Sequence, residues 1–501
     1  MQQKSVKKIV ILGGGTAGWI SASLLVKILG KVLDITLVES EDIGTIGVGE
    51  ATIPPIQSLN AALGLQEEEF LRETMGTIKL GIQFEHWGDV GESYMHAFGT
   101  VGKDFPFCHF NHFWRRADQL GMSFNYWDFS LNYQASLQNK FSKLDRIEGV
   151  NLGGLTYAYH FDAGLYARFL RKYSESVGVK RIEGKVATVQ QDPLTGDIQA
   201  LLLQSGQRIE GDLFLDCSGL HSLLIDKTLN TGFEDWSHWL PADSAVAVPS
   251  AKTEPVVPYT RSIAHANGWQ WRIPLQHRTG NGFVYSSKYC TDEEAKQLLL
   301  SNLDSEALAE PRLIKFRTGR RLQQWQHNVV SIGLASGFLE PLESTSIHLI
   351  QSAVLRLLKF FPHLGINDSD RAEYNRQSKI EFEQIRDFII LHYKLTRRQD
   401  SKFWRDCKQM AVPASLERKL QQFAQSGLVF REQDELFSEI AWQQVMLGQG
   451  LLPADHHPLV DALTEAQLQD MLQNLKVIFE KTTERLGSHQ EFLARVAGTR
   501  H

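Results

Sequence analysis

Lys8-Ile9-Val10-Ile11-Leu12-Gly13-Gly14-Gly15-Thr16-Ala17-Gly18 is the stretch on which the fold turns. Residues 8–12 are a short apolar run rich in β-branched side chains, which reads as a buried strand. The glycines then permit a tight turn, and residues 19–29 carry Ile20, Leu24, Leu25 and Leu29 at the spacing of one helix face. Strand, glycine turn and helix in this order open a dinucleotide-binding module. Gly13, Gly15 and Gly18 form the pattern GxGxxG, which lets backbone approach a pyrophosphate, while the start of the helix at Thr16 and Ala17 offers free N–H groups and a positive dipole. Residues 34–38 read as a second strand, ending on Glu39, about twenty residues beyond the last glycine, where an acid accepts from a ribose hydroxyl.

GxGxxG alone occurs in many nucleotide-binding proteins, so the rest of the chain decides which dinucleotide is bound. Val48-Gly49-Glu50-Ala51-Thr52-Ile53-Pro54 follows where a nicotinamide-dependent enzyme would continue into another helix. A second contact is expected where the apolar residues 212–215 end in Asp216-Cys217-Ser218-Gly219, and a third where residues 329–332 run into Gly333-Leu334-Ala335-Ser336-Gly337. Contacts spread this widely suit FAD lying extended across a fold. No second glycine motif follows a strand, so a separate NAD(P)H site is not expected.

At 501 residues the chain exceeds the roughly 250 to 300 at which one core gives way to several. We expect an α/β fold: residues 1–365 as an FAD-binding Rossmann-like module with an interleaved aromatic-rich substrate segment at about 90–150, and residues 366–501 as a mostly helical module. A net charge of −6 gives no basic excess and no reason to expect nucleic acid or an anionic membrane surface as partner. Cys108, Cys217, Cys290 and Cys407 lie far apart without CxxC spacing and are expected to be reduced, buried and unreactive. The apolar run after MQQKSVKK is too short for a signal sequence, and no stretch reaches the 18 or so apolar residues of a membrane span. A cytoplasmic protein is expected, and a homodimer is allowed. The terminal Gly498-Thr499-Arg500-His501 is expected to be loose.

Two further stretches are more specific. Phe338-Leu339-Glu340-Pro341-Leu342-Glu343-Ser344-Thr345-Ser346 nearly completes FxxPxxSxG, and Trp269-Gln270-Trp271-Arg272-Ile273-Pro274 reads WxWxIP. With GxGxxG these stand in the order and at the spacing of the flavin-dependent halogenases, and the chain resembles the tryptophan/indole halogenases along nearly its whole length. The resemblance implies FAD supplied reduced by a separate flavin reductase, halide as co-substrate, and a small indole-type aromatic substrate. It also makes residues 48–54, including Ala51, the strap that contacts flavin.

Residue roles follow from the same resemblance. Residues 77–84 alternate, with Ile78, Leu80, Ile82 and Phe84 on one face and Lys79 on the other; by pattern alone such a lysine is solvated. In the halogenases the matching lysine projects into the tunnel between flavin and substrate, where it donates a hydrogen bond to hypohalous acid or is itself halogenated as the free amine. Glu343 reads by itself as a helix-start charge. In the family the matching glutamate sits near that lysine, stabilises positive charge on the ring and accepts the departing proton. Thr345 and Ser346 match the pair whose backbone amides hold halide. Ser346 stands where the pattern has glycine, and a side chain in the left-handed region costs roughly 1 to 2 kcal/mol, so a reshaped halide pocket is expected, with bromide rivalling chloride.

Trp269, Trp271, Ile273 and Pro274 match residues that wall the tunnel and keep substrate from the flavin, the separation that distinguishes halogenation from hydroxylation. Taken alone, the tryptophans read equally well as a strand pair packing on one face. His96 and Phe98 match the aromatic pair that sandwiches indole, and Phe437 or Trp442 is expected to close the pocket. The clamp that holds the amino and carboxylate groups of free tryptophan is not recognisable in Ser438-Glu439-Ile440-Ala441-Trp442-Gln443-Gln444, so indole or a larger indole-bearing molecule is the expected substrate. Cys108, His109 and His112 form C-H-x-x-H, but no further ligand is evident and no metal is assigned. Competing readings are an FAD-dependent aromatic monooxygenase, disfavoured by WxWxIP with Lys79, and an FAD-binding protein without turnover.

Overall fold

The structure, a computed structural model, describes residues 5–42 and 49–498. Val48 of the strap and the terminal Thr499, Arg500 and His501 lie outside the described residues. Contacts divide the chain into two units of three segments each, Met1–Gly76, Phe161–Asp243 and Lys315–Glu383 in the first, and Thr77–His160, Ser244–Ile314 and Gln384–His501 in the second. The two units interleave along the chain, because strands that lie side by side come from distant stretches of it.

In the first unit Lys8–Leu12 lies between Asp34–Glu39 and Leu213–Asp216, parallel to both. The sheet runs from Trp325–Gln326 through Val329–Ser331, Leu213–Asp216, Lys8–Leu12 and Asp34–Glu39 to Lys180–Glu183, and only the Trp325–Gln326 edge is antiparallel. Ile9, Val10 and Ile11 are buried together, as the near-continuous apolar run requires of a strand covered on both faces. Val10, Phe214 and Val329 share a core with Ile198, Leu201 and Leu203 of an antiparallel three-stranded layer. Helix Thr16–Leu29 packs against Ala163–Ser176 and Ser346–Lys359.

The second unit holds a seven-stranded sheet in which Arg278–Tyr285, Gly268–Pro274, Thr260–His265, Gly81–Glu85 and Ser93–Ala97 follow one another. All these neighbours are antiparallel except Gly81–Glu85 with Thr260–His265. From Asp368 onward the named elements are helices, the longest Asp368–Lys394 and Glu465–Arg485. Residues 77–84, which alternate like one strand, form two. Thr77–Lys79 pairs with Ala158–Asp162, and Gly81–Glu85 joins the large sheet. The break falls at Leu80, whose N–H donates to Pro258 O (2.7 Å) while its carbonyl accepts from Phe98 N (2.9 Å) and Asn132 Nδ2 (3.0 Å).

Candidate active site

In the first unit the three stretches assigned to a dinucleotide converge. Gly13 has φ +118° and lies so close to Cys217 that a Cβ there would meet Cys217 O at 2.2 Å. Gly18 is pressed as tightly onto Gly13 O. Around Gly15, by contrast, a Cβ would meet nothing within 4 Å, and the helix that follows has neither a side-chain cap nor an acid in its first turn. This is a cradle with bare amide donors facing open space, the requirement for a pyrophosphate. Glu39 lies against Gly14, with one carboxylate oxygen accepting from Arg181 Nε. Gly333, at φ +69°, opens the turn Gly333–Ala335 that carries Leu334, and a Cβ there would meet Ala17 at 2.8 Å and Ile350 at 3.5 Å. Ala51 is buried on the short strand Gly49–Ala51, and burial pushes its neighbour Glu50 up to about 7. The residues fit FAD.

Asp216 ends the strand Leu213–Asp216 at the second expected contact. Its carboxylate is fully buried and already accepts four hydrogen bonds, from Ser218 N (3.1 Å) and Oγ (2.6 Å) and from Leu224 and Ile225 N (2.8 Å each). Through Leu224 and Ile225 it holds the first turn of the π-helix Leu223–Thr228. From that π-helix Asp226 reaches Arg321 Nη1 at 2.7 Å, and Arg321 donates through Nε to Ala335 O (3.3 Å) and through its backbone N to Ser336 O (2.9 Å). Asp226 and Arg321, which the sequence reading missed, thus latch the Gly333 turn. No local pattern marks such a pair.

The signature stretch follows at once. Gly337–Phe338 pairs with Gly319–Arg321, Pro341–Glu343 forms one 3-10 turn, and helix Ser346–Lys359 begins. Glu340 and Glu343 are both fully buried, so Glu343 is not a solvated helix-start charge. The left-handed residue is Ser344 (φ +59°), whereas Ser346 is the first residue of the helix. The strain expected at Ser346 is therefore absent, because the reversal of the chain is completed two residues earlier. Among the described residues the amides of Thr345 and Ser346 have no acceptor, and the helix they open has no acid in its first turn. Such a terminus favours an anion.

In the second unit Lys79 is fully buried at the end of Thr77–Lys79, with Nζ 5.4 Å from the Phe98 ring centroid. The register sets His160 opposite Thr77. Thr77 Oγ1 donates to Pro274 O (2.7 Å) and so accepts from His160 Nδ1 (2.9 Å), leaving His160 Nε2 to accept from Thr260 Oγ1 (2.9 Å). His160 is held neutral: burial, then the Lys79 charge, then His489 keep it well below the usual imidazole range. His489, from the last helix, accepts the Ile78 N–H at Nε2 (3.3 Å), and burial lowers it to about 4. His160 and His489 carried no sequence signal.

Trp269 and Trp271 are buried on Gly268–Pro274 with ring centroids 6.1 Å apart, and Ile273 is buried on the same face. Trp271 lies flat over Gly282, where a Cβ would meet its ring at 1.9 Å. His96 and Phe98 stand edge to face at 6.3 Å, and His96 also meets Phe388 (5.6 Å) and Phe437 (6.2 Å), which stack on each other at 3.7 Å. Trp442 packs against Phe388 edge to face at 4.8 Å. It is fully buried behind Phe388, with Nε1 donating to Glu435 and Lys419 over its ring. The glutamines beside it are engaged structurally, Gln444 pairing with both backbone groups of Ala97 and Gln443 accepting from Tyr126 OH.

Near Cys108, His109 pairs with Asp104 (3.1 Å), while His112 is buried against the His457 ring. Among the described residues no group of three or more metal-type side chains converges. All four cysteines are buried and none is in a disulfide, and burial pushes Cys108 and Cys290 up to about 11.

A family model described as tryptophan halogenase matches residues 8–465. A tryptophan 7-halogenase from Lentzea aerocolonigenes is 34% identical, covering 98% of this chain and 99% of that protein. Among solved structures, a flavin-dependent halogenase from Xanthomonas campestris is 50% identical with TM-score 0.95, covering 98% of this chain and 99% of the other. One from Brevundimonas sp. BAL3 is 42% identical with TM-score 0.94 at the same coverage.

Proposed function

The chain belongs to the tryptophan halogenase family and is a flavin-dependent halogenase, and we propose that it works as the second component of a pair, in the cytoplasm, receiving reduced FAD from a separate reductase and halogenating an indole-type ring with bromide or chloride. Reduced FAD, when bound, would supply two of the electrons that dioxygen takes up, one oxygen leaving as water while the other oxidises halide to hypohalous acid. The glycine turn, Glu39 and the Gly333–Ala335 turn hold the cofactor, and the amides of Thr345 and Ser346 hold the halide.

Trp269, Trp271, Ile273 and Pro274 keep the ring from the flavin, so that only the small hypohalous acid passes. Lys79 then fixes the electrophile, as hydrogen-bond donor to its oxygen or as the halogenated amine. The carbon–halogen bond forms as the oxygen–halogen or nitrogen–halogen bond breaks. Glu343 stabilises the cationic ring and takes the proton that the substituted carbon loses; on the first route the departing hydroxide takes a proton from the Lys79 ammonium and leaves as water, and on the second that water has left when the haloamine formed and the ring proton returns the departing Lys79 nitrogen to the free amine. His96, Phe98 and Phe437 hold the indole. With Gln443 and Gln444 already committed to Tyr126 and Ala97, free tryptophan lacks a clamp, which favours indole or a larger indole-bearing molecule.

The observation that carries this reading is Lys79 itself, a fully buried lysine whose ammonium lies over the Phe98 ring. Mass spectrometry of indole incubated with the protein, a flavin reductase, NADH and bromide tests it. A bromine isotope doublet is the expected result, whereas a gain of one oxygen would mark a monooxygenase and unaltered indole a protein without turnover.

A further inference from the structure

Thr77–Lys79 is the edge strand of its sheet: Ala158–Asp162 lies on one side, and among the described residues no strand lies on the other. On that other side stands His489, the first residue of the last helix, His489–Gly498, and fully buried. Its Nε2 lies 3.3 Å from the N–H of Ile78, the residue before Lys79. A backbone amide can only donate, so Nε2 is the acceptor and Nδ1 carries the proton, which it donates to Val256 O at 2.9 Å. Two residues on, Pro258 O accepts the N–H of Leu80, the residue after Lys79, at 2.7 Å. Both amides flanking Lys79 are thus tied to the 256–258 segment, one directly and one through an imidazole.

His489 is itself fixed from several directions. Its N–H donates to Asn139 O (2.9 Å), Gly487 N donates to Ser142 Oγ (2.9 Å), and Phe492 of the same helix stands edge to face on Phe141 at 4.9 Å. A chain end more than 400 residues from the lysine in sequence is therefore anchored so that its imidazole completes the strand from which the lysine projects.

We propose that His489 is a positioning residue for Lys79, its Nε2 standing in for the missing neighbour strand and fixing the height at which the ammonium meets the electrophile. This rests on the reading of Lys79 given above. Without the acceptor the buried Ile78 N–H loses its partner, and the strand relaxes to find another. Lys79 moves with it, and displacements of that kind, remote from the reacting atoms, lower rates without changing which groups react.

The test uses the full chain with His489→Leu, which removes the acceptor, and His489→Gln, whose amide oxygen falls near the place of Nε2. Three quantities are read: oxidised FAD affinity by fluorescence quenching, hypohalous acid release caught by a 1,3-diketone trap, and brominated indole formed per reduced FAD consumed. His489→Leu is expected to keep the first two near wild type and to lose product per FAD about 10- to 100-fold through kcat, with KM for indole within about twofold. His489→Gln is expected to recover to within about threefold of wild type. Unchanged coupling in His489→Leu, or a loss that His489→Gln does not repair, overturns the proposal. If His489→Leu does not fold, His489→Gln decides, since it keeps the acceptor for Ile78 but gives up the bond to Val256: retained coupling supports the proposal and lost coupling overturns it. Lys79→Met, run alongside, separates the two readings. If it couples normally the role of Lys79 falls, and if it does not while His489→Leu does, only His489 is excluded.

Discussion

Lys79 is fully buried, and a buried ammonium stays only where neighbours compensate its lost hydration. The Phe98 face is one such neighbour, and two neutral imidazoles, His160 and His489, add no opposing charge. Lys79→Ala should therefore leave FAD binding and hypohalous acid release near wild type while halogenated indole falls by more than about tenfold, since fixing the electrophile is a positional effect; chromatography of products against trapped hypohalous acid reads both. Glu343 is buried as deeply, and Glu343→Gln, nearly isosteric, should slow turnover by about 10² to 10⁴ with an unchanged melting temperature if it receives the ring proton. Wild-type turnover would leave it a structural carboxylate. Ser346 calls for a different expectation from the one its sequence suggests. It opens a helix without left-handed strain, so Ser346→Gly should cost at most about 1 kcal/mol of stability and leave the ratio of chlorinated to brominated indole within about twofold when both halides compete. A large shift toward either halide would show that the Ser346 side chain itself sets the preference.

The glycine turn separates two duties that one motif combines. Gly13 and Gly18 serve the protein, since each is pressed against backbone and Gly13 also needs positive φ. Gly15 serves the ligand, for its φ of −77° suits any residue and nothing lies within 4 Å of a Cβ there. Gly15→Ala should fold with a melting temperature within a few degrees of wild type yet bind FAD at least about tenfold more weakly, because the added methyl occupies the approach to the cradle. Gly13→Ala should lose the fold along with the cofactor. Circular dichroism and flavin fluorescence on the pair distinguish these outcomes. The π-helix Leu223–Thr228 is a second device at this scale. Asp216 holds its first turn and Asp226 passes the position on to Arg321 and Ala335, so a rare helix form sits behind the cofactor turn, as such helices often do at functional sites.

Across the chain, acid is the condition to which this arrangement is most exposed. Burial holds His489 and His112 to about 4, against the usual imidazole value of 6.5. Because the folded form binds these protons more weakly than the unfolded form, their neutral burial costs nothing above about pH 6.5, and stability is lost as pH falls toward 4, by about 3 kcal/mol for His489 alone. Melting temperatures between pH 7.5 and 4.5 should show a steep decline that is shallower in His489→Gln; equal slopes would contradict the assignment. The glycine turn, the strand before it, the acid at Glu39 and the WxWxIP strand were legible in the sequence, because each rests on steric and hydrogen-bonding demands met within a few residues. Even a resemblance strong enough to single out Lys79 could not say what holds it. Tertiary structure alone decided that Asp216 holds the first turn of a π-helix, that Trp442 is buried against Phe388, that residues 77–84 break at Leu80, and that His489 accepts from Ile78. Those outcomes depend on partners from eight to several hundred residues away, brought together by the packing of interleaved segments, and a local pattern carries no record of which distant group will arrive at its open hydrogen bonds.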